Sequence, residues 1–325
     1  MRKLVLLSIL LAMFVIILGA YTRLTDAGLG CPDWPGCYGH LNIANTAKHI
    51  ETAQQNFPDR PFEAHKAWNE MVHRYFASAL GLAILAIFVL SFIQRSYQRP
   101  LKLPLFLVCL VMFQGALGMW TVTLNLLPVV VMGHLLGGFA VLSCLFILYL
   151  RLTPYRIPGG DHRMRNYGKY TLLGLFILTC QIALGGWTSS NYAALACTEL
   201  PICEGNWYQN LDFIGAFTVT EADNYEYGTH DYAQRMTMHI MHRLGALLTV
   251  IYLCWLAFTL HKAATASLIK RLCSLLILVL IVQVLLGVSN VVFSLPIVVA
   301  VLHNFVAACL LLVLVMLSYT LYRKT

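Results

Sequence analysis

Charged residues are scarce in this sequence. Lys, Arg, Asp and Glu together make up 11% of its 325 residues, whereas a typical soluble domain carries about 25%. Hydrophobic residues make up 59%, and the mean hydropathy is +0.72. This balance excludes an ordinary soluble domain and predicts an all-α integral membrane protein.

The first apolar run, residues 4–20, lacks a following cleavage site of the A-x-A type. It is also longer than the roughly 7–15 apolar residues of a signal peptide, so we expect it to be retained as a membrane helix. Apolar runs near 20 residues predict a membrane span. The sequence has eight of them, at about 4–21, 72–94, 103–123, 129–150, 170–188, 238–260, 271–291 and 296–320.

Acidic residues are nearly missing from one side of this arrangement. Only Asp161 of the 14 Asp and Glu residues falls at the termini or in the short loops after the second, fourth and sixth helices. The same regions hold 15 of the 22 Lys and Arg residues. The positive-inside rule therefore places both termini in the cytoplasm. The net charge of +8 follows from this topology and gives no sign of nucleic-acid binding.

The two halves of the chain repeat each other. Gly19 precedes Cys31 by 12 residues, and Gly185 precedes Cys197 by the same 12. An even number of helices in each half makes both halves cross the membrane in the same sense. We predict a four-helix repeat over 1–151, a cytoplasmic linker over 152–169 and a second repeat over 170–325. The long loops 22–71 and 189–237 are expected to form an extracytoplasmic cap.

Four of the ten cysteines lie in these long outer loops, as the pairs Cys31 with Cys37 and Cys197 with Cys203. The predicted compartment is oxidising, so each pair favours a disulfide. A reactive dithiol or a metal site is the alternative. The other six cysteines fall in membrane helices, where cysteine is usually a small apolar filler, and no role is assigned to them.

Each of the four even-numbered membrane helices has a histidine near its start, and we expect these histidines to lie within the first two turns. His73 and His134 are 61 residues apart, and so are His242 and His303. A lone membrane histidine is more often a packing residue than a ligand, but two equally spaced pairs favour metal ligation. Two imidazoles facing each other from parallel helices are typical of haem binding. The sequence has no C-x-x-C-H motif, which argues against covalent c-type attachment.

The residues around the histidines differ between the halves. Arg74 and Arg243 each follow a histidine and could bind haem propionates, although interfacial snorkelling is the alternative. Glu70 stands one helical turn before His73, where the second half has His239. We hypothesise that this carboxylate is a catalytic acid or base, or a cation stabiliser; an interfacial carboxylate paired with an arginine is the alternative. Glu70 and His239 are also the only nearby candidates for further zinc or copper ligands.

In combination these motifs resemble the heme A synthase family. The resemblance rests on Glu-x-x-His-Arg, four histidines in a duplicated eight-helix chain, the outer cysteine pairs and the stretch Gly-Ala-Tyr-Thr-Arg-Leu-Thr-Asp-Ala-Gly-Leu-Gly-Cys-Pro-Asp-Trp-Pro-Gly-Cys. It covers nearly the whole chain. It implies oxidation of the C8 methyl of heme O to a formyl group, through successive hydroxylations and loss of water. The product, heme A, serves terminal cytochrome oxidases.

The resemblance also implies roles for the candidate residues. The C-terminal pair, His242 and His303, would hold a permanent heme B. The N-terminal pair, His73 and His134, would face heme O as substrate and heme A as product, with Glu70 as the catalytic carboxylate. A bacterial cytoplasmic (inner) membrane location and heme O synthase (protoheme farnesyltransferase) as a partner are implied, whereas no electron acceptor is identified and a homo-oligomer is left open. Family members differ in their cysteine pairs, so the cysteines are not expected to take part in the core chemistry.

Two other functions fit the duplicated histidines. A diheme membrane cytochrome that passes electrons from quinol to an outer partner would not need Glu70, and both of its haems would be heme B. A haem transporter would bind and release one cofactor at these sites. Identification of the bound haems distinguishes the three functions.

Overall fold

In a computed structural model of the chain, residues 1–43, 47–93, 101–153 and 161–323 are described, and these ranges contain helices and no strand. Four of the basic residues used to predict the topology lie outside them, namely Arg95, Arg99, Arg156 and Lys324. Residue 94 of the predicted second span and residues 154–160 of the predicted linker also lie outside them. The α-helices are α1 (Arg2–Leu24), α2 (Ala47–Asn56), α3 (Ala64–Ile93), α4 (Lys102–Thr123), α5 (Pro128–Leu152), α6 (Gly168–Ser190), α7 (Phe213–Phe217), α8 (Tyr232–Ala263), α9 (Ser267–Val292) and α10 (Ile297–Arg323).

The predicted all-helical membrane architecture is confirmed. Within the described ranges, eight helices are long and apolar enough to cross a membrane, namely α1, α3 to α6 and α8 to α10. The chain is therefore a multi-pass membrane protein. Most predicted ends agree with the helices to within a few residues, but α3 and α8 begin well before the predicted 72 and 238.

The early starts of α3 and α8 change where two histidines lie. The polar residues that precede each apolar run are also helical, because a helix can continue beyond the membrane once its own hydrogen bonds satisfy the backbone. The Asp231 side chain accepts a hydrogen bond from Gln234 N–H and so caps α8 before the apolar run begins. His73 and His242 consequently lie about three turns into their helices, and the expectation that they fall within the first two turns was wrong.

The described chain divides into two compact units. One contains the described residues of 3–142 and 219–229, and the other contains the described residues of 143–218 and 230–323. In the second unit α6 packs against α8 and α10, and α9 also packs against α8 and α10, so the four helices form a closed ring. The predicted repeat boundaries at 151 and 170 stay a prediction.

In the first unit, α3 packs against α4. The helix α1 also contacts α3, since the rings of Phe14 and Phe76 meet edge to face with centroids 4.8 Å apart. Positions that match in the predicted repeat have similar backbone conformation: Asp26 and Tyr192 have φ of 50° and 54°, and Leu126 and Leu295 have φ of 64° and 62°. Each of these left-handed residues lies just beyond the end of a helix, where the chain must turn sharply.

The single acid on the predicted cytoplasmic side has a local structural role. Oδ2 of Asp161 accepts hydrogen bonds from the N–H and hydroxyl groups of Thr265 and from the N–H of Ala266, just before α9 begins. Burial raises the pKa of Asp161, but these hydrogen bonds outweigh it, and the pKa lies below its ordinary value. The carboxylate thus holds the segment that leads into α9, and negative charge is favourable near a helix N-terminus.

Candidate functional site

Glu70 is buried where α3 meets the first cysteine loop, with 5% of its surface exposed. Its Oε2 accepts a hydrogen bond from the Cys31 N–H at 2.8 Å, and its Oε1 contacts the Arg74 guanidinium. Both oxygens therefore have a donor, which fixes the orientation of the carboxylate. Because Glu70 and His73 are three residues apart on one helix, they lie on the same face.

His239 occupies the matching place in the second unit. Its Nδ1 accepts a hydrogen bond from the Cys197 N–H at 3.3 Å, and Arg243 Nε lies 3.3 Å from its Nε2. Like Glu70, it is 5% exposed. The two units therefore share one local design, in which a buried acceptor lies between the first loop cysteine and an arginine. The acceptor is a carboxylate in one unit and an imidazole in the other.

The two arginines hold the cysteine loops by their backbone carbonyls. Nη1 of Arg74 donates to the carbonyls of Asp33 at 3.0 Å and of Gly36, and also approaches that of Pro35. The three carbonyls lie within the loop that the first cysteine pair encloses. A single guanidinium with several acceptors is suited to this task because its donors are fixed in one plane.

Arg243 makes the corresponding contacts in the second unit. It donates to the carbonyls of Cys197 at 2.8 Å, of Glu199 at 2.7 Å and of Ile202. The predicted contact of Arg74 and Arg243 with haem propionates stays a prediction, and these carbonyl contacts give both arginines a further role in the loops.

The predicted N-terminal histidine pair comes together across the first unit. The ring centroids of His73 on α3 and His134 on α5 are 6.4 Å apart, with the rings 80° from coplanar. An imidazole nitrogen binds a metal ion at about 2.0–2.1 Å, so two rings that share one ion have centroids about 6 Å apart. Nδ1 of each ring is buried, and the backbone carbonyls of Val15 and Gln114 lie beside His73 and His134 respectively. The spacing of the rings fits a pair of ligands to one iron.

Each of the four histidines packs against a glycine of a neighbouring helix. A Cβ at Gly19 would lie 3.0 Å from Cε1 of His73, and a Cβ at Gly118 would lie 3.4 Å from Cε1 of His134. In the second unit Gly185 and Gly287 lie in the same way against His242 and His303, at 3.0 and 3.1 Å. A Cβ at Gly19, Gly185 or Gly287 would press against the imidazole, whereas one at Gly118 would make ordinary van der Waals contact. Only Gly19 and Gly185 were noticed in the sequence, as markers of the repeat.

Two glutamines near the C-terminal pair were not predicted as site residues. The side-chain amide nitrogen of Gln181 lies 3.0 Å from Nδ1 of His242, and that of Gln283 lies 3.3 Å from both ring nitrogens of His303. The sequence does contain a feature that could have identified them, namely an amide side chain within a long apolar helix. A polar group in a membrane helix usually has a partner.

The structure joins both predicted cysteine pairs. The sulfur atoms are 2.01 Å apart for Cys31 and Cys37 and 2.15 Å apart for Cys197 and Cys203. Glu204 Oε2 lies 3.0 Å from Sγ of Cys203. Burial raises the pKa of Glu204, but hydrogen bonds from Thr198 and Glu199 hold it below its ordinary value. Each disulfide closes a loop beside the acceptor of its own unit.

Comparison with known sequences identifies the family. A sequence profile of the family described as cytochrome oxidase assembly protein matches residues 2–315, almost the whole chain. The chain belongs to that family. Its similar relatives include a protein of Shewanella oneidensis named heme A synthase, which is 52% identical over 321 residues, covering 98% of this chain and 96% of the relative.

Family members from more distant bacteria carry the same name. A heme A synthase of Neorickettsia sennetsu is 27% identical over 93% of both chains, and one of Mesorhizobium japonicum is 25% identical over 91% of this chain and 84% of its own. The family predicted from the sequence motifs is therefore confirmed. In this cytochrome oxidase assembly family member, the candidate site consists of two matched histidine pairs and one acceptor position that differs between the units.

Proposed function

We propose that this member of the family is a heme A synthase, an oxidoreductase that converts the C8 methyl of heme O to a formyl group. Successive hydroxylations followed by loss of water would give heme A for a terminal cytochrome oxidase. The observation that carries the proposal is the acceptor position of the two units, where Glu70 replaces the imidazole of His239. The two sites otherwise match. We therefore assign the reaction to the site with the buried carboxylate and an assisting role to the other.

Heme O would bind as substrate between His73 and His134. Their ring spacing and the glycines behind them support this assignment. Glu70 is held from two sides, by Cys31 N–H and by Arg74, so its position does not depend on substrate. Its carboxylate would stabilise positive charge that develops as electrons leave the macrocycle, and it would accept a proton from attacking water. A buried carboxylate acts more strongly in both roles because the surrounding dielectric is low.

His242 and His303 would hold the permanent heme B. When bound, this haem would supply an acceptor for the electrons removed from the substrate. The chain contributes the two imidazoles, the glycines that seat them and the amides of Gln181 and Gln283. Arg243 would keep the loop over this site in place through the carbonyls of Cys197 and Glu199.

The protein would lie in the bacterial cytoplasmic membrane with both termini inside. The basis is the distribution of charge, with 15 of 22 basic residues on the side of the termini. The two cysteine loops would then form a cap on the outer side, where disulfides persist. Heme O synthase would be the partner that delivers the substrate.

The deciding experiment is extraction of the haems from the purified protein and their separation by chromatography. We expect heme B together with heme O or heme A. A protein that carries heme B alone, in cells that make heme O, would instead be a diheme electron-transfer cytochrome, the second candidate. A transporter would show a single haem type that exchanges at both sites.

A further inference from the structure

The same two-residue pattern faces all four histidines. Each seating glycine is preceded, one helical turn earlier, by a residue on the same helix face. These preceding residues are Val15, Gln114, Gln181 and Gln283, four positions before Gly19, Gly118, Gly185 and Gly287 respectively. The glycine touches the imidazole in every case. The residue one turn away on the same face is therefore also close to the ring.

Only in the second unit does the side chain at this position reach the histidine. The amide nitrogen of Gln181 lies 3.0 Å from Nδ1 of His242 and also donates to the His242 carbonyl at 3.0 Å. The amide nitrogen of Gln283 lies 3.3 Å from both ring nitrogens of His303. Gln181 therefore contacts both the ring and the backbone of its histidine, whereas Gln283 contacts only the ring.

The first unit has the same positions but not the contacts. The Val15 side chain has no polar atom, so only its backbone carbonyl lies beside the His73 ring. The Gln114 amide is directed to Gly137, where any Cβ would collide with it, and its nitrogen is buried without a partner among the described residues. Among the described residues no side chain contacts Nδ1 of His73 or His134, and the polar groups beside these rings are the backbone carbonyls of Val15 and Gln114.

A second exchange between the halves accompanies the first. A Cβ at Gly245 would collide with Oε1 of Gln181, so the glycine provides the space that the amide occupies. Gly245 follows His242 by three residues, and the residue three after His73 is Phe76. Phe76 instead packs against Phe14, the neighbour of Val15. The second unit therefore pairs Gln181 with Gly245. The first unit has Val15 and Phe76 at the matching positions.

Such an amide matters because a metal-bound imidazole is oriented by the partner of its other nitrogen. An acceptor on that N–H fixes the tautomer and raises the basicity of the ligand. When Nε2 of His242 binds iron, Nδ1 carries the proton, and the amide oxygen is the group that accepts it. Oε1 of Gln181 and Oε1 of Gln283 are buried without a partner among the described residues. A half-turn of the Gln181 amide brings its oxygen to Nδ1, in exchange for the bond that the amide nitrogen donates to the His242 carbonyl.

We propose that Gln181, with Gln283, is a positioning residue that makes the C-terminal histidine pair retain its haem, whereas the N-terminal pair, which has no side-chain amide against its rings, exchanges substrate for product. This inference rests on the proposed assignment of heme B to His242 and His303. It explains how two sites with the same ligands can differ in residence time, because the difference lies in the residues behind the ligands.

The test uses Gln181→Met and Gln181→Val in the full-length protein. Methionine keeps the length and nearly the volume of glutamine but provides no hydrogen bond to Nδ1, and valine reproduces the other unit. The matched control is Gln114→Met, which removes an amide that touches no histidine. The measurements are the reduction potential of the heme B and its rate of transfer to a haem-scavenging globin.

We expect both Gln181 variants to bind heme B about 10–100-fold more weakly, with a higher reduction potential because a less basic ligand stabilises ferric iron less. Gln114→Met should leave both quantities unchanged. If Gln181→Met retains the affinity and potential of the unchanged protein, the amide only fills space and the inference is overturned. If the unchanged protein has no heme B that depends on His242 and His303, the proposed function itself fails.

Discussion

The N–H of Cys31 donates to Oε2 of Glu70 at 2.8 Å, so the proposed catalytic carboxylate is attached directly to the first cysteine loop. Arg74 completes this arrangement by binding Glu70 and the loop carbonyls together. The second unit forms the same arrangement around His239, but with an imidazole as acceptor. Structural support of the loop therefore does not require a carboxylate, which points to chemistry as the reason for Glu70.

Substitution of Glu70 should separate these two roles. Glu70→His introduces the residue of the second unit, and Glu70→Gln retains an acceptor for Cys31 N–H without the charge. We expect both variants to assemble with normal heme B but to oxidise heme O about 10²–10⁴-fold more slowly, as when a general base is lost. This corresponds to about 3–5 kcal/mol of barrier. The ratio of heme A to heme O in the purified variants, with heme B as internal standard, measures the effect.

Near-normal heme A in Glu70→Gln would mean that the carboxylate only holds the helix and the loop. Glu70→Asp provides a graded comparison, because its shorter side chain keeps the charge but reaches less far. Partial activity in Glu70→Asp together with none in Glu70→Gln is the pattern expected for a charge-dependent role.

Alanine substitutions should distinguish the two histidine pairs. His242→Ala and His303→Ala are expected to remove the permanent heme B and most activity, because each leaves the iron with one protein ligand. His73→Ala and His134→Ala should leave the heme B absorption spectrum largely unchanged while blocking turnover. Loss of the heme B spectrum in the N-terminal variants instead would mean that the roles of the two pairs are reversed.

Arg74→Lys tests what the guanidinium binds. Lysine keeps the charge but cannot reach several carbonyls in one plane, so the loop 31–37 should open more often. Amide hydrogen exchange in this loop should accelerate, with little change in the loop 197–203, which Arg243 holds. Unchanged exchange combined with weaker binding of heme O would favour a propionate contact over the role in the loop.

The two cysteine pairs should be found as local disulfides in peptides digested without reduction. Each closes a short loop, for which the chain-entropy account gives roughly 2–3 kcal/mol of stabilisation. Mass spectrometry of the unreduced digest identifies the partners directly. Free thiols, or a bond between the two halves, would contradict the arrangement in which each arginine holds its own loop.

Reporter fusions test the orientation of the membrane helices. Fusions after Arg151 and after Lys262 should report the cytoplasm, because these loops carry the excess of basic residues. Fusions in the two cysteine loops should report the opposite side. A cytoplasmic signal from either cysteine loop would reverse the topology.

The sequence by itself determined the membrane class, the eight spans, the family and the candidate histidines. These follow from local quantities, namely the length of an apolar run and the spacing of repeated residues, which need no knowledge of packing. Even so, the polar starts of α3 and α8 were missed, because hydropathy detects the membrane and not the end of a helix.

Only the tertiary structure decided which groups support each histidine. Val15 and Gln181 hold matching places in the chain, but their effect depends on what faces them across the helix interface. Gln114 and Gln283 are the same residue at matching positions, yet one amide is directed to Gly137 and the other lies against His303. A side chain in a packed interior adopts the orientation that its neighbours leave open. Residue identity alone therefore predicted the ligands but not the groups that hold them in place.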